Sequence, residues 1–127
     1  MEDLLIGGRT RDEFVGMAAG MVMSSVLAKD APLVVNADLR PEVLKRSSLI
    51  ATQAAQMLWD VLVADVCASN DTSGLYAEFA IRNVASVLGW WSDLACRTPG
   101  ERADSLKCAV LTSVLGAAAL WKALGRT

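Results

Sequence analysis

The residue types from which most catalytic sites are built are scarce in this sequence. There is no histidine among the 127 residues, which removes the usual general base, the Ser–His and Cys–His nucleophile pairs and the Glu-x-x-His ligands of di-iron helical proteins. Charges scattered along helices usually lie on solvated faces. The charged residues that could still meet in a cleft are Asp60, Asp65, Glu78, Arg82 and Asp93. We therefore predict no catalytic residue and no enzymatic activity.

Motifs for metals and cofactors are not recognisable either. The cysteines are odd in number and lack C-x-x-C spacing, which favours buried structural thiols over a disulfide framework or a catalytic thiol; they are Cys67, Cys96 and Cys108. Gly7-Gly8 and the pair Gly16 and Gly20 lack the strand context and the Lys-Ser/Thr pair of a phosphate loop. No acidic cluster suggests a magnesium site, so we predict no metal and no cofactor.

The composition indicates more apolar surface than one small core can bury. Hydrophobic residues make up 54% of the chain before its nine glycines are counted, which exceeds the usual share in globular domains. A chain of this length forms one domain with limited interior, so we expect the surplus to be buried against another subunit or in a membrane. The net charge of −2 provides no positive field for phosphate backbones, which disfavours nucleic acid as a partner.

The first helix is predicted over residues 11–29. Thr10 and Glu13 have the spacing of a capping box, and no charge occurs from Phe14 to Ala28. A helix that is apolar on all sides is central in a core or spans a membrane, and fifteen uncharged residues suit a buried helix better than a bilayer. Small residues recur at every fourth position and are predicted to allow close helix packing, within the chain or in an oligomer: Gly16, Gly20, Ser24 and Ala28.

The second helix is predicted over residues 39–68, after an extended connector over residues 30–38. Asp38 is its candidate cap, and Pro41 falls in its first turn. Asp65 near its end is interpreted as a solvated or loop-capping carboxylate rather than a functional acid. The helix has a second apolar face that is a candidate surface for helix packing or for an oligomer interface, formed by Leu49, Trp59 and Val63.

The third and fourth helices are predicted over residues 73–95 and 99–124. Phe79 and Trp90 flank the polar side of the third helix, and they form either a partly buried helix seam or an aromatic patch for a partner. The fourth helix begins with a Thr cap, a Pro and a Glu at the favoured positions and stops at Gly125. Its outer side carries further candidate interface residues: Leu111, Leu115 and Ala119.

These elements predict an all-α, single-domain chain over residues 1–127. Short turns make the last three helices antiparallel neighbours, and the first can complete a four-helix, mostly antiparallel bundle. Residues 1–9 are expected to be a flexible or interface arm. Because several helices carry more apolar surface than one bundle core requires, we expect oligomerisation to complete or enlarge the bundle, most simply as a symmetric dimer.

The run from Thr10 to Ala28, TRDEFVGMAAGMVMSSVLA, resembles the opening helix of small uncharacterised phage and prophage proteins. In those proteins an alanine-rich second helix follows a short linker, and a matching pattern is present here in Ile50, Ala51, Ala54, Ala55 and Asp60. The sequence departs from theirs in an inserted Glu13 and a longer connector. The resemblance implies a phage or mobile-element origin and no particular activity.

The leading functional hypothesis is a non-catalytic, homo-oligomeric helical protein that acts by protein contact, as an accessory factor of a phage or mobile element. Its location is expected to be cytoplasmic, since the N-terminus lacks a signal-peptide pattern. One alternative is a membrane-active protein that uses residues 14–28 and 109–121 as short membrane segments. Another is a module that binds a small apolar ligand between helices, lined by Met17, Met21, Met57, Trp91 and Trp121.

Overall fold

A computed structural model describes residues 4–90 and 98–126, and it confirms the all-helical class. Helices account for 80% of it, and the described residues form no strand beyond an isolated bridge between Ile6 and Arg9. The helices are α1 (Arg11–Lys29), α2 (Ala31–Val34), α3 (Arg40–Val63), α4 (Val66–Asn70), α5 (Leu75–Trp90) and α6 (Pro99–Ala123).

The long helices α1 and α6 each pack against both α3 and α5. This arrangement places α1 and α6 on opposite sides of the core. From α1, every fourth residue points inward: Phe14, Ala18, Val22 and Val26. The core they enter is closed by fully buried side chains of the other helices, including Leu58, Leu62, Tyr76, Ile81, Leu88, Leu106 and Val110.

The predicted start of α1 is confirmed by its capping box. The backbone N–H of Glu13 donates to the Thr10 hydroxyl at 3.4 Å, and the Thr10 N–H donates to the Glu13 carboxylate at 3.1 Å. The hydrogen bonds from Thr10 hold the pKa of Glu13 below its usual value. Two otherwise unsatisfied amides are bonded at the point where the chain enters the core.

The segment before α1 is anchored to the core, at least over the described residues 4–9. Ile6 is buried, and its N–H and C=O both bond to Arg9 across a turn at Gly7-Gly8. Gly7 has φ +58°, and a Cβ at that position would lie 2.7 Å from the Cα of Gly74. Only glycine fits this close backbone contact, so this part of the predicted arm is a packed turn.

The connector over residues 30–38 is not extended as predicted, since Ala31–Val34 forms the single turn of α2. Pro32 lies in the first turn of α2, where no backbone N–H is needed. The predicted cap Asp38 does not cap α3; its N–H donates to the Asn36 side chain at 2.9 Å. Arg40 instead ties the α3 start to α2 by donating to the Val34 carbonyl at 2.8 Å.

The predicted long second helix is wrong at its C-terminal end, because α3 stops at Val63 and α4 begins at Val66. The Asp65 carboxylate accepts from the Cys67 N–H at 2.9 Å and caps α4. Aspartate favours such local bonds to the backbone over a helix interior. The loop-capping interpretation of Asp65 is therefore confirmed.

The last two helices begin and end at clear signals. The Asp71 carboxylate accepts from the Tyr76 N–H at 2.8 Å and sets the start of α5 at Leu75, two residues later than predicted. The predicted extension of this helix over residues 91–95 lies outside the described residues. Thr98 caps α6 by accepting from the Glu101 N–H at 3.2 Å. At the other end, Gly125 has φ +77° and Arg126 N–H donates to Trp121 O at 3.1 Å, a Schellman ending.

Candidate interaction surfaces

Charge is distributed unevenly over the four long helices. No charged residue occurs from Phe14 to Ala28 in α1 or from Cys108 to Trp121 in α6. By contrast, α3 and α5 carry exposed charges, for example Asp60 in the last turn of α3 and Arg82 in the middle of α5. Because α1 and α6 lie on opposite sides of the core, the molecule has two opposite uncharged faces.

The uncharged face of α6 combines exposure with large apolar side chains. Its inward side is buried through residues such as Leu106, Val110 and Trp121. The residues that point outward are all exposed, and Leu115 keeps 70% of its surface accessible. We call these residues the α6 outer face: Cys108, Leu111, Thr112, Leu115, Gly116, Ala119 and Leu120. The predicted exposure of the α6 interface residues is confirmed.

Among the described residues, the row of small residues on α1 does not pack closely against another helix, so that part of the prediction is wrong. Gly16, Gly20, Ser24 and Ala28 are all exposed, and a Cβ added at either glycine would meet nothing within 4 Å. The physical reason is area: Phe14, Val22 and Val26 bury more apolar surface than small residues can. We call this exposed row the α1 ridge.

A close contact between α1 and α5 lies beside the α1 ridge. A Cβ on Gly89 would lie 3.4 Å from both the Cβ and the carbonyl oxygen of Ser25. Two shallow depressions lie over this contact, and Trp90 and Lys29 line one of them. Trp90 is 89% exposed, which makes it the most accessible aromatic side chain among the described residues.

Phe79 and Trp90, predicted as one aromatic patch or seam, are in different surroundings. Phe79 is half-buried and its ring lies 6.3 Å from that of Trp121. Trp90 is about 16 Å further along α5 at the usual helical rise. The seam interpretation therefore fits Phe79, and Trp90 alone is available to a partner.

The predicted second apolar face of α3 is divided between core and surface. Trp59 is buried, and its ring centroid lies 5.5 Å from that of Phe14. Trp59 therefore belongs to helix packing within the chain rather than to an exposed interface, because Phe14 of α1 covers it. Val63 packs against the same core, and only Leu49 is exposed.

Asp65 and Tyr76 form a polar contact that ties α4 to α5. The buried Tyr76 hydroxyl donates to the second Asp65 oxygen at 2.8 Å. Burial and this carboxylate raise the pKa of Tyr76 well above its ordinary value, so the hydroxyl remains a donor. Both carboxylate oxygens of Asp65 are thus engaged, which accounts for this acid as a structural group.

The described cysteines lie in different surroundings. Cys67 is half-buried, whereas Cys108 is exposed, contrary to the prediction of buried thiols; Cys96 lies outside the described residues. Within residues 4–90 and 98–126, no three His, Cys, Asp or Glu side chains are placed to hold a metal ion.

The described residues of the predicted apolar ligand site lie in different surroundings. Met17, Met21 and Met57 pack against the core. Met21 and Trp121 line two separate depressions, and Trp91 is not among the described residues. The ring of Trp121 is held in the core by an edge contact with Tyr76 at 5.4 Å.

One described helix, α6, has the length and apolar composition needed to cross a membrane. The core helix of a water-soluble protein meets the same criteria. In α6, 39% of the most apolar window is buried inside the chain. The α1 segment predicted as an alternative membrane span does not meet these criteria.

Comparisons with family models, with curated proteins and with solved structures gave no match. The function is therefore inferred from the surfaces of this chain.

Proposed function

We propose that this chain is a non-catalytic helical protein that self-associates and acts by protein contact. In this proposal its four long helices form a mostly antiparallel bundle that oligomerisation enlarges. The observation that carries it is the α6 outer face, on which leucines remain exposed along a stretch without any charge. Monomeric proteins rarely leave contiguous apolar faces of this kind uncovered.

The α1 ridge and Trp90 support the same proposal from the other side of the molecule. The ridge would let a second backbone approach closely, and an exposed tryptophan is a residue type that is enriched where proteins bind one another. The α1 ridge and Trp90 could therefore bind a different protein while another surface binds a second copy. The resemblance of Thr10 to Ala28 to phage proteins adds the proposal of a cytoplasmic phage or mobile-element factor.

Sedimentation velocity of the full chain over a wide concentration range tests the proposal. We expect a mass that rises toward a multiple of the 13.5 kDa monomer as the concentration increases. A monomer at every concentration would contradict self-association.

A membrane-active protein is the second candidate, because α6 is long and apolar enough to span a bilayer. Flotation with vesicles of neutral and of anionic lipids distinguishes the two functions. A membrane-active protein would float with the vesicles and would need detergent to stay dispersed. A self-associating protein would remain in the vesicle-free fractions and show the concentration-dependent mass.

A further inference from the structure

Three residues of the α6 outer face, Cys108, Leu111 and Leu115, belong to a longer seam that is complementary to itself. The residues of this seam are spaced alternately four and three positions apart, which is the spacing with which two helices pack along a seam. They are Asp104, Cys108, Leu111, Leu115, Ala118 and Lys122. All but the half-buried Ala118 are exposed. The seam is acidic at its N-terminal end and basic at its C-terminal end, and these ends are about 27 Å apart at the usual rise per residue.

From this pattern we infer that α6 of one copy packs antiparallel against α6 of a second copy, about a twofold axis between Leu111 and Leu115. This inference rests on the proposed self-association and names its interface. The twofold axis places Asp104 opposite Lys122 of the second copy, and each copy's Leu111 opposite the other's Leu115. The apolar centre then excludes water, and one ion pair closes each end.

The charges at the two ends of the seam disfavour a parallel pair of α6 helices. In a parallel pair, Asp104 would face Asp104 and Lys122 would face Lys122, which is repulsive at both ends. The remaining charges of this part of α6 do not oppose the antiparallel pair. Lys107 lies at the edge of the face, level with the uncharged Ala119 of the second copy, and Glu101 lies beyond Asp104 at the same acidic end. Arg102 is half-buried and, two positions before Asp104, lies on the other side of the helix.

A second copy also fits this face better than a lipid surface does. Helices that lie on membranes usually flank their apolar side with several Lys or Arg residues, whereas the exposed seam has one basic and one acidic end in a chain of net charge −2. The α1 ridge is a poorer site for the second copy, because its glycines, serine and alanine offer little apolar area to bury. A single helix-on-helix contact falls at the small end of specific interfaces, so we expect a dimer that dissociates on dilution.

The first test places a charge at the centre of the seam. We expect Leu115→Glu to raise the dimer dissociation constant by at least about tenfold, because each copy would bury an unpaired carboxylate in the contact. Leu44→Glu is the matched control, since Leu44 is an exposed leucine on α3 outside the candidate interface residues and should leave the constant unchanged. Circular dichroism and thermal melting show whether each variant is folded.

The second test exchanges the charged ends. Asp104→Lys and Lys122→Glu should each raise the dissociation constant by about three- to tenfold, since every dimer contains the Asp104–Lys122 contact twice. The double variant Asp104→Lys/Lys122→Glu should recover the wild-type constant. In a parallel pair or at an unrelated interface, the double variant would show no such recovery.

The outcomes separate this inference from the proposed function. If the wild-type chain self-associates and Leu115→Glu does not weaken it, the interface is elsewhere and only the present inference fails. If the wild-type chain is monomeric at every concentration, both fail. Binding of the wild-type chain to neutral vesicles that Leu115→Glu abolishes, without any dimer, would assign the face to lipid and overturn the inference.

Discussion

Asp65 lies between α3 and α4 and determines where α4 begins. One carboxylate oxygen accepts from the Cys67 N–H at 2.9 Å, and the other accepts from the Tyr76 hydroxyl at 2.8 Å. The first bond competes with continuation of α3, and the second joins the new helix to α5. A single side chain thus both breaks a helix and fixes the position of the next one.

Replacing Asp65 should therefore cost more than the loss of an ordinary cap. We expect Asp65→Ala to lower the free energy of unfolding by about 2 kcal/mol, because it removes the α4 cap and leaves the buried Tyr76 hydroxyl without its acceptor. Urea denaturation measures the change. Asp60→Ala, on the exposed side of α3, is the control, and equal stability of the two variants would contradict this role.

Asp71 should make part of the stability dependent on pH. Burial alone would raise the pKa of this carboxyl, but hydrogen bonds from the Ser73 hydroxyl and from the Tyr76 and Ser73 N–H groups outweigh it and hold the pKa below the usual 3.8. Since the folded-state pKa is the lower one, the stabilisation is present above about pH 3.8 and is lost as pH falls through the folded value.

Urea denaturation from neutral pH into the acid range tests this dependence on the Asp71→Asn variant. Asparagine does not titrate in this range, and its single carbonyl oxygen can replace one of the two acceptor oxygens that Asp71 uses. We expect the variant to lose less stability on acidification than the wild-type chain. Asp60→Asn controls for the loss of one carboxylate, and an identical acid dependence of the Asp71 variant and the wild-type chain would refute the assignment.

At the scale of elements, short-range signals predict the structure well and long-range contacts do not follow from them. The Thr10–Glu13 and Thr98–Glu101 caps lie within one turn, and α1 and α6 begin where those caps place them. The burial of Trp59 depends on Phe14 of another helix, which no local pattern contains. The break at Asp65 likewise depends partly on Tyr76, eleven residues away.

The α1 ridge is a second case in which local sequence signals do not predict the packing of a helix. Since α1 is apolar or small on every side, its periodicity does not specify which side is buried. Side-chain size decides it, because the core takes the larger Phe14, Val22 and Val26. The α6 outer face was predictable because a continuous inner stripe left Leu111, Leu115 and Ala119 on the opposite side.

If the α1 ridge packed closely against another helix, a larger residue there would destabilise the protein. Because the ridge is exposed, we expect the opposite. We expect Gly20→Ala to raise the free energy of unfolding by about 0.5–1 kcal/mol, because alanine favours the helix and its Cβ meets nothing within 4 Å. Gly116→Ala on α6 is the contrast, since its Cβ would lie 3.0 Å from the Asn83 amide nitrogen, which donates to Ser113 O.

Thermal and urea denaturation of both glycine variants measure the difference. Gly116→Ala should gain less than Gly20→Ala or lose stability, because Asn83 has to move away from its acceptor. A loss of stability in Gly20→Ala at concentrations where the chain is monomeric would show that a helix of the same chain covers the ridge.

At the scale of the whole molecule, the two uncharged faces are on opposite sides but differ in character. The α6 outer face carries leucines, whereas the α1 ridge carries only small residues. Two opposite faces with large apolar area would each bind another copy and allow open-ended assembly. A single self-complementary face is fully used when two copies form a dimer. The difference in apolar area therefore favours a closed dimer through α6.

Thiol labelling provides a test of that assembly that needs no change to the interface. Cys108 is exposed in the isolated chain and lies on the α6 outer face, while Cys67 is half-buried within α4. In a Cys96→Ser background, we expect alkylation of Cys108 by iodoacetamide to slow as the protein concentration rises, because the second copy covers this thiol. The alkylation rate of Cys67 should not change with concentration and is the internal reference. If the mass doubles while Cys108 reacts at a constant rate, the copies associate through a surface other than the α6 outer face.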